Sequence, residues 1–153
     1  SYRPAKMKMK DYLNAWITHV ILNAAGPEDY PKKSLLVGED GVWRFEPLPN
    51  AADIMQILIQ YYLLGHTKPL KLFARSSWAY ASALWQKNRS MEAALDAANT
   101  AWEGYDNGFI RADSDEIACR ICFEDLSPID AEFQKTAENI LKELFVHMVK
   151  AEN

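Results

Sequence analysis

The spacing of apolar residues along the chain predicts mainly helices. Apolar positions recur every three or four residues over 10–25, 51–64, 78–86 and 91–103, which is typical of helices that bury one face. A last helix is predicted over 127–149, because a Ser-Pro-x-Asp start is followed by large apolar residues at helical spacing. Each helix is expected to pack its apolar stripe into a core.

The first helix is expected to bury six apolar residues and to leave its histidine without a catalytic role. A single helical histidine is more often packed or hydrogen-bonded than catalytic, and no catalytic partner of His19 lies within reach along the helix. The six predicted core residues are Leu13, Trp16, Ile17, Val20, Ile21 and Ala24.

Serines are expected to cap three helices. Ser76 or Ser77 would precede the helix at 78–86, and Ser90 the helix that follows. Ser127 is expected to cap the last helix, with a proline at the first helical position and an aspartate at the third.

Strands are predicted where the hydrophobic period changes to two. The Asp-Gly pair at 40–41 separates two β-rich runs, 35–38 and 42–46, and is typical of a hairpin because glycine readily adopts the positive φ of a tight turn. Alternation over 115–124 predicts a strand with one buried face, and 70–73 is a weaker candidate for another strand. The hairpin and the helix after it form the central part of the predicted fold.

These elements predict one α+β domain over 1–153. Its small mixed sheet, the hairpin plus one or two strands, would pack with about five helices. The chain has 153 residues, of which 49% are hydrophobic and five are tryptophan, so it can form a substantial core.

Charge and composition narrow the classes of function. The net charge is −4, and a domain that grips duplex DNA alone usually has a basic face, so independent tight binding is not expected. Two cysteines make no disulfide framework, no apolar run is long enough to span a bilayer, and no signal peptide is visible. A soluble cytosolic protein with no membrane partner is expected.

The cysteine pair at 119 and 122 has the Cys-x-x-Cys spacing of some zinc and redox sites. On the predicted strand, however, residues three apart point to opposite faces. No second cysteine pair exists, and His66 and His147 are distant in the sequence. Two unrelated cysteines, Cys119 and Cys122, are therefore expected rather than a metal or redox site.

A hairpin followed by a helix is also how many nucleases carry their metal-binding carboxylates, and three acids occur near this hairpin. A metal-dependent nuclease of the PD-(D/E)xK type needs an acid on one strand, with an acid and a lysine two residues apart on the next. Glu39 and Asp40 belong to the turn, where acids are common for backbone reasons. The remaining candidate is Glu46.

The triplet that contains this acid is Glu46-Pro47-Leu48. The residue that would polarise the attacking water is Leu48, or Pro49 if the register is shifted by one, and neither can do so. The sequence therefore predicts an inactive site with no metal and no cofactor. An active nuclease would need a migrated lysine, with Lys32 or Lys33 turned toward the acid.

Two further groups of residues could contact nucleic acid. The basic start of the chain could face phosphates, although such a run is usually a solvated end. The aromatic residues could stack bases, although aromatics at helical spacing more often form a core. The basic residues are Arg3, Lys6, Lys8 and Lys10, and the aromatic ones are Trp43, Trp78, Trp85, Trp102 and Tyr105.

An ordered set of short segments resembles a known family. The set is Trp16, Leu22-Asn23-Ala24-Ala25-Gly26, Gly41-Val42-Trp43-Arg44-Phe45-Glu46-Pro47-Leu48, Gly65, Lys68-Pro69-Leu70, Ser77-Trp78-Ala79, Ala101-Trp102-Glu103-Gly104, Arg111 and Asp115-Glu116-Ile117. Its order and spacing, with the final amphipathic helix, resemble the C-terminal region of the exodeoxyribonuclease V gamma chain, the RecC subunit of the RecBCD helicase-nuclease.

The resemblance implies a fold and a role that the composition does not show. The chain would be the C-terminal domain of a much longer gamma chain, similar to the nuclease domain of the beta subunit but without its catalytic residues, hence a degenerate restriction-endonuclease-like fold. The gamma chain would be a non-catalytic scaffold that holds the beta (RecB) and alpha (RecD) subunits and guides double- and single-stranded DNA during double-strand break repair and homologous recombination. No catalytic, cofactor-binding or metal-binding residue is carried over from the family.

Overall fold

A computed structural model describes residues 6–104, 111–123 and 127–151. The helices are α1 (Met9–Ala25), α2 (Ala51–Gly65), α3 (Ser76–Ala81), which continues as a π-helical turn (Ser82–Gln86), α4 (Met91–Glu103), α5 (Ile117–Phe123) and α6 (Ala131–His147). The strands are β1 (Ser34–Gly38), β2 (Gly41–Phe45) and β3 (Met148–Lys150). The predicted α+β class, with a small sheet and mostly helical mass, is confirmed.

The chain forms two compact units. The first comprises Ser1–Leu63 and Val146–Asn153, and the second Leu64–Phe145. The first therefore contains the sheet and α1, and the second contains α3, α4 and α5. The assignment of 1–153 to one domain stays a prediction.

The three strands form an antiparallel sheet in the order β1-β2-β3. Ser34 pairs with Phe45 at one end of the hairpin and Gly38 pairs with Gly41 at the other, so the predicted hairpin is confirmed. The turn itself is at residues 39–40, and the positive φ, 144°, falls on Gly41 as the first residue of β2.

The third strand does not come from either predicted segment. Residues 115–124 were expected to form a strand, but 117–123 form α5, with Ile117 and Ile121 exposed by 72% and 75%. Cys119 and Phe123, four residues apart, pack instead on the core of the second unit, which is the spacing of a helix. The prediction was wrong because alternation alone supplies no pairing partner for a strand.

Residues 70–73 are not a strand either. The side chain of Phe73 is buried, and its backbone N–H donates to the hydroxyl of Ser77, 2.8 Å away. The segment therefore leads into α3 rather than joining a sheet. β3, at the end of the chain, instead completes the sheet by pairing Met148 with Phe45.

Three helix ends differ from their predicted positions. α3 begins at Ser76, so Ser76 and Ser77 are its first residues rather than caps. α6 begins at Ala131, because the carboxylate of Asp130 accepts hydrogen bonds from the N–H groups of Glu132 and Phe133. α6 also ends at His147, two residues early, because the chain then enters β3.

The face that α1 buries is also partly different. Tyr12, Trp16, His19 and Val20 are buried, while Ile17 and Ile21 are exposed by 41% and 51%. The difference arises because the polar His19 finds hydrogen-bond partners inside, so the buried stripe turns toward it. Trp16 packs against Phe45 with the two rings tilted by 47° and their centroids 5.8 Å apart.

The core of the second unit is aromatic and alanine-rich. The predicted α4 is confirmed, and its Ala94 and Ala98 are fully buried, as close helix packing requires. Phe73 lies 4.8 Å from Trp102 between ring centroids. The buried cluster consists of Phe73, Tyr80, Ala83, Ala94, Ala98, Trp102, Phe133 and Ala137.

Candidate functional site

The acids of the hairpin lie at opposite ends of it. Glu39 and Asp40 form the turn, whereas Glu46 follows the last residue of β2. Glu46 is six positions after Asp40, across the five residues of β2, which corresponds to about 20 Å of extended chain. Asp40 uses its carboxylate to accept a hydrogen bond from the N–H of Met7, 3.2 Å away. These three acids therefore do not converge on one metal ion.

Glu46 is held by two cations. The ammonium of Lys33 lies 3.0 Å from one carboxylate oxygen, and Nε of Arg44 lies 2.5 Å from the other. The hydrogen bond from Lys33 is the main reason that the pKa of Glu46 is lowered, and the charge of Arg44 adds to it. The result is a charged, solvent-facing carboxylate whose two oxygens are already engaged.

A buried leucine occupies the position expected of a catalytic lysine. Leu48 is only 5% exposed, and its N–H donates to the side-chain oxygen of Asn23, 3.1 Å away. Pro49 is exposed and carries no charge. Neither side chain can activate water.

The two lysines before β1 are used differently. Lys32 donates to the carbonyl oxygens of Leu22 and Gly26, at 3.0 and 2.8 Å, and so caps the C-terminus of α1. Lys33 is the lysine that reaches Glu46. Of the two candidates for a migrated lysine, only Lys33 is therefore near the acid.

Two polar side chains of α1 hydrogen-bond to the hairpin and to the residues just after it. We call this group the clamp and define it as His19, Asn23, Ser34, Glu46 and Leu48. One ring nitrogen of His19 is 2.9 Å from the hydroxyl of Ser34, and the other is 2.9 Å from the carbonyl oxygen of Glu46. Asn23 accepts from Leu48 and donates to the carbonyl of its own helix at His19, 2.9 Å away. The clamp fixes the backbone on both sides of the hairpin.

Sequence reasoning anticipated that His19 would be packed and hydrogen-bonded, but it did not identify the partners. Ser34 is 15 residues away along the chain and Glu46 is 27 residues away. No local pattern connects them. The local signal at His19 was only that a polar residue stands among the apolar positions of the helix, as Thr18 also does.

Comparison with known protein families shows which family the chain belongs to. Residues 1–85 match the family model of the RecC C-terminal domain, which is 85 of 153 residues and so more than half of the chain. The chain belongs to the RecC C-terminal domain family. No match was found among curated proteins.

Family membership confirms the resemblance that the ordered segments indicated. RecC is the gamma chain of the RecBCD exodeoxyribonuclease V complex, in which it is associated with other subunits and with DNA. The complex acts in DNA repair and recombination. The matched residues include the whole hairpin, the clamp and α2. The features described above therefore lie in the part of the chain that defines the family.

Other candidate sites of this RecC-family chain are dispersed. Over 6–104, 111–123 and 127–151, no three His, Cys, Asp or Glu residues are grouped so that they could hold a metal ion. Cys119 and Cys122 are free thiols on α5. The expectation that they point to opposite faces of a strand was wrong, because helical residues three apart share a side. Burial is the main reason that the pKa of Cys119 is raised, so its thiolate is disfavoured.

The basic start of the chain is mixed with acids. Lys6, Lys8 and Lys10 are exposed, and Arg3 lies outside the described residues. The carboxylate of Asp11 accepts from the N–H of Lys8, 2.8 Å away, so negative charge lies within the same turn. Asp11 therefore offsets part of the positive charge at this end.

The candidate stacking aromatics are mostly packed. Trp43 and Trp102 are 7% and 9% exposed. Trp78 and Trp85 are half-buried and face Phe145. The remaining candidate, Tyr105, lies outside the described residues. None of the described helices is long and apolar enough to cross a membrane.

Proposed function

We propose that this RecC-family domain is a non-catalytic, nuclease-like scaffold of the exodeoxyribonuclease V complex. The observation that carries the proposal is the buried Leu48 two residues beyond Glu46, where a nuclease would present a lysine. A leucine carries no ammonium, so residue 48 cannot lower the pKa of an attacking water. The domain would therefore support the complex through binding rather than through catalysis.

The arrangement of acids supports the same proposal. Metal-dependent cleavage needs at least two ligands that share one ion, together with a group that activates water. Glu46 lies about 20 Å from the acids of the turn, and both of its oxygens are engaged by Lys33 and Arg44. The hairpin followed by α2 fits the backbone of a degenerate PD-(D/E)xK domain, 1–153, at the C-terminus of a longer gamma chain.

Exposed apolar residues in the first unit support a role in assembly. On α1 they are Ile17 and Ile21, and on α2 they are Ile59, Tyr62 and Leu63, the last three exposed by 49%, 68% and 58%. Between Asp53 and His66 the chain carries no charged residue, so this part of α2 suits a protein partner better than nucleic acid. The partners proposed are the beta (RecB) and alpha (RecD) subunits, in the cytoplasm, where the assembled complex would guide unwound DNA during double-strand break repair.

A nuclease assay on the purified chain tests this proposal. The chain is incubated with linear duplex DNA and Mg²⁺ or Mn²⁺, beside a matched Glu46→Ala variant. We expect no metal-dependent cleavage by either protein. Cleavage that the parent chain performs and Glu46→Ala abolishes would overturn the proposal, whereas equal residual cleavage by both indicates a contaminant.

The contact between Lys33 and Glu46 favours one alternative, an active nuclease with a migrated lysine. The ammonium lies 3.0 Å from the carboxylate, close enough to assist a metal-bound water at the same site. This alternative requires cleavage that is lost both in Lys33→Gln and in Glu46→Gln but retained in Lys32→Gln. If none of these proteins cleaves DNA, the alternative is excluded. Weak DNA binding by the basic start is a separate possibility, which would show a steep salt dependence.

A further inference from the structure

The imidazole of His19 is the central link of the clamp. The carbonyl oxygen of Glu46 can only accept a hydrogen bond, so the ring nitrogen 2.9 Å from it, Nε2, must carry a proton. Nδ1 then has a free lone pair and accepts from the hydroxyl of Ser34 at 2.9 Å. Both contacts are satisfied by one form of the ring, the neutral Nε2–H tautomer.

The surroundings of His19 oppose a positive charge on the ring. The residue is 0% exposed, and the rings of Trp16 and Phe45 lie 6.0 and 5.5 Å away between centroids. Burial is the main reason that the pKa of His19 is lowered, while the hydrogen bond to Glu46 acts in the opposite direction. The closed clamp therefore favours the neutral ring.

Two titratable side chains face this ring from other elements. His147, at the end of α6, stacks on Trp16 with centroids 6.0 Å apart, and its positive form would repel a protonated His19. The carboxylate of Glu46 would attract the protonated ring, but it is already paired with Lys33 and Arg44. Their combined effect does not cancel the effect of burial, so acid is expected to weaken the clamp.

We propose that the clamp is a pH-sensitive device, in which protonation of His19 releases the link between α1 and the open end of the hairpin, where β1 begins and β2 ends. One proton from water binds Nδ1 when the clamp opens. The hydroxyl of Ser34 can turn to accept from Nδ1–H, but the charged ring would remain without water unless the segment at 46–48 moves away. Opening thus exchanges buried contacts for hydration of the imidazolium.

The direction and size of the effect follow from proton linkage. The open form has the ordinary histidine pKa of about 6.5 and the closed form a lower one, so only the open form binds the proton at intermediate pH. The population of the open form rises by up to about tenfold for each pH unit below 6.5. It stops rising once the pH falls below the pKa of the closed form.

Amide hydrogen exchange on the whole chain tests the proposal. The reporter is the N–H of Leu48, which donates to Asn23 at 3.1 Å and is part of the clamp. After correction for intrinsic exchange, its protection should fall up to about fivefold between pH 6.5 and 5.5, while the amides of the β1–β2 ladder keep theirs. His19→Gln, which cannot titrate, should show no such fall. His66→Gln, at an exposed position, should behave as the parent chain does.

Three results would overturn the proposal. They are constant protection of Leu48 in the parent chain, the same fall in His19→Gln, and an equal fall throughout the sheet, which would indicate global unfolding. If His19→Gln does not fold, an NMR titration of the unchanged chain decides the matter. In that titration the proposal requires that His19 is the Nε2–H tautomer and that its pKa lies below the ordinary histidine value. An Nδ1–H tautomer or a pKa at or above the ordinary value contradicts the proposal. Neither DNA nor a partner subunit is needed, so the result is independent of the proposed scaffold role.

Discussion

Asp113 caps α3 from 37 residues away by accepting two hydrogen bonds from Ser76. The N–H and the hydroxyl of Ser76 donate to the same carboxylate oxygen at 2.7 and 2.8 Å. The N–H of Arg75 donates to the carboxylate as well, at 3.0 and 3.2 Å to its two oxygens. Asp113 is 2% exposed, and these donors stabilise its charge at the start of a helix. The segment after α4 is thereby tied to the start of α3.

Replacing this carboxylate should destabilise the second unit. In Asp113→Asn the charge is lost and one carboxylate oxygen becomes an amide N–H₂, which cannot accept a hydrogen bond, so we expect a loss of about 2–3 kcal/mol in the free energy of unfolding. Chemical denaturation followed by tryptophan fluorescence measures this loss. Asp96→Asn, at an exposed position on α4, is the matched control and should be within about 0.5 kcal/mol of the parent chain. Equal stability of the two variants would contradict the capping role of Asp113.

The elements that were predicted correctly are those whose signals are local. The hairpin has its Asp-Gly pair, and α4 has a capping serine, a helical apolar period and a glycine at its end, all within a few residues of each other. β3 has only three residues, too few for a period to be visible, and it is a strand because β2 lies beside it. A strand defined by a partner 103 residues away, as for Phe45 and Met148, has no local signal.

The same distinction applies to the candidate site. The sequence around Glu46 was sufficient to predict that no lysine stands at the expected position, because the relevant residues are adjacent. It allowed a role for Lys32 or Lys33 but could not distinguish them, because the two side chains leave the chain in different directions. The contacts of His19 depend on the packing of α1 against the hairpin, which no spacing along the chain reveals.

Two substitutions at the start of α6 can distinguish the cap predicted from the sequence, Ser127, from the observed cap, Asp130. Asp130→Ala removes the acceptor of two backbone N–H groups and should cost about 0.5–2 kcal/mol. Ser127→Ala, at the cap predicted from the sequence, should cost less because α6 begins four residues later. Denaturation midpoints of the two variants decide the question. A larger loss in Ser127→Ala would mean that the helix begins earlier than Ala131.

The buried face of α1 can be tested at two neighbouring positions that were both expected in the core. Trp16 is 0% exposed, so Trp16→Ala should leave a cavity and cost about 3–5 kcal/mol. Ile17 is 41% exposed, and Ile17→Ala should cost less than about 1 kcal/mol. Thermal or urea unfolding measures both. Similar losses of stability at the two positions would mean that Ile17 is buried as well, as the apolar spacing predicted.

The glycine pair beside the hairpin turn offers a test of backbone conformation with a built-in control. Gly41 has a φ of 144°, a region that L-residues rarely adopt, and an added Cβ would also lie 3.0 Å from Cε of Lys150. Gly41→Ala should therefore cost about 1–3 kcal/mol. Its partner Gly38 is not among the residues with positive φ, and the nearest atoms to a Cβ there are Cγ and Sδ of the flexible Met7 side chain, at 2.7 and 2.9 Å, and Oδ1 of Asp40, at 3.1 Å.

Gly38→Ala is accordingly expected to cost less, because the unbranched Met7 side chain can rotate aside. Both variants retain the two turn residues, so a difference between their unfolding midpoints reports on the backbone at residue 41 and not on the turn sequence. The measurement is the urea midpoint of each variant against the parent chain. Tolerance of Ala at 41 together with intolerance at 38 would show that the positive φ lies elsewhere in the hairpin, and that the Asp-Gly signal acts at the turn itself.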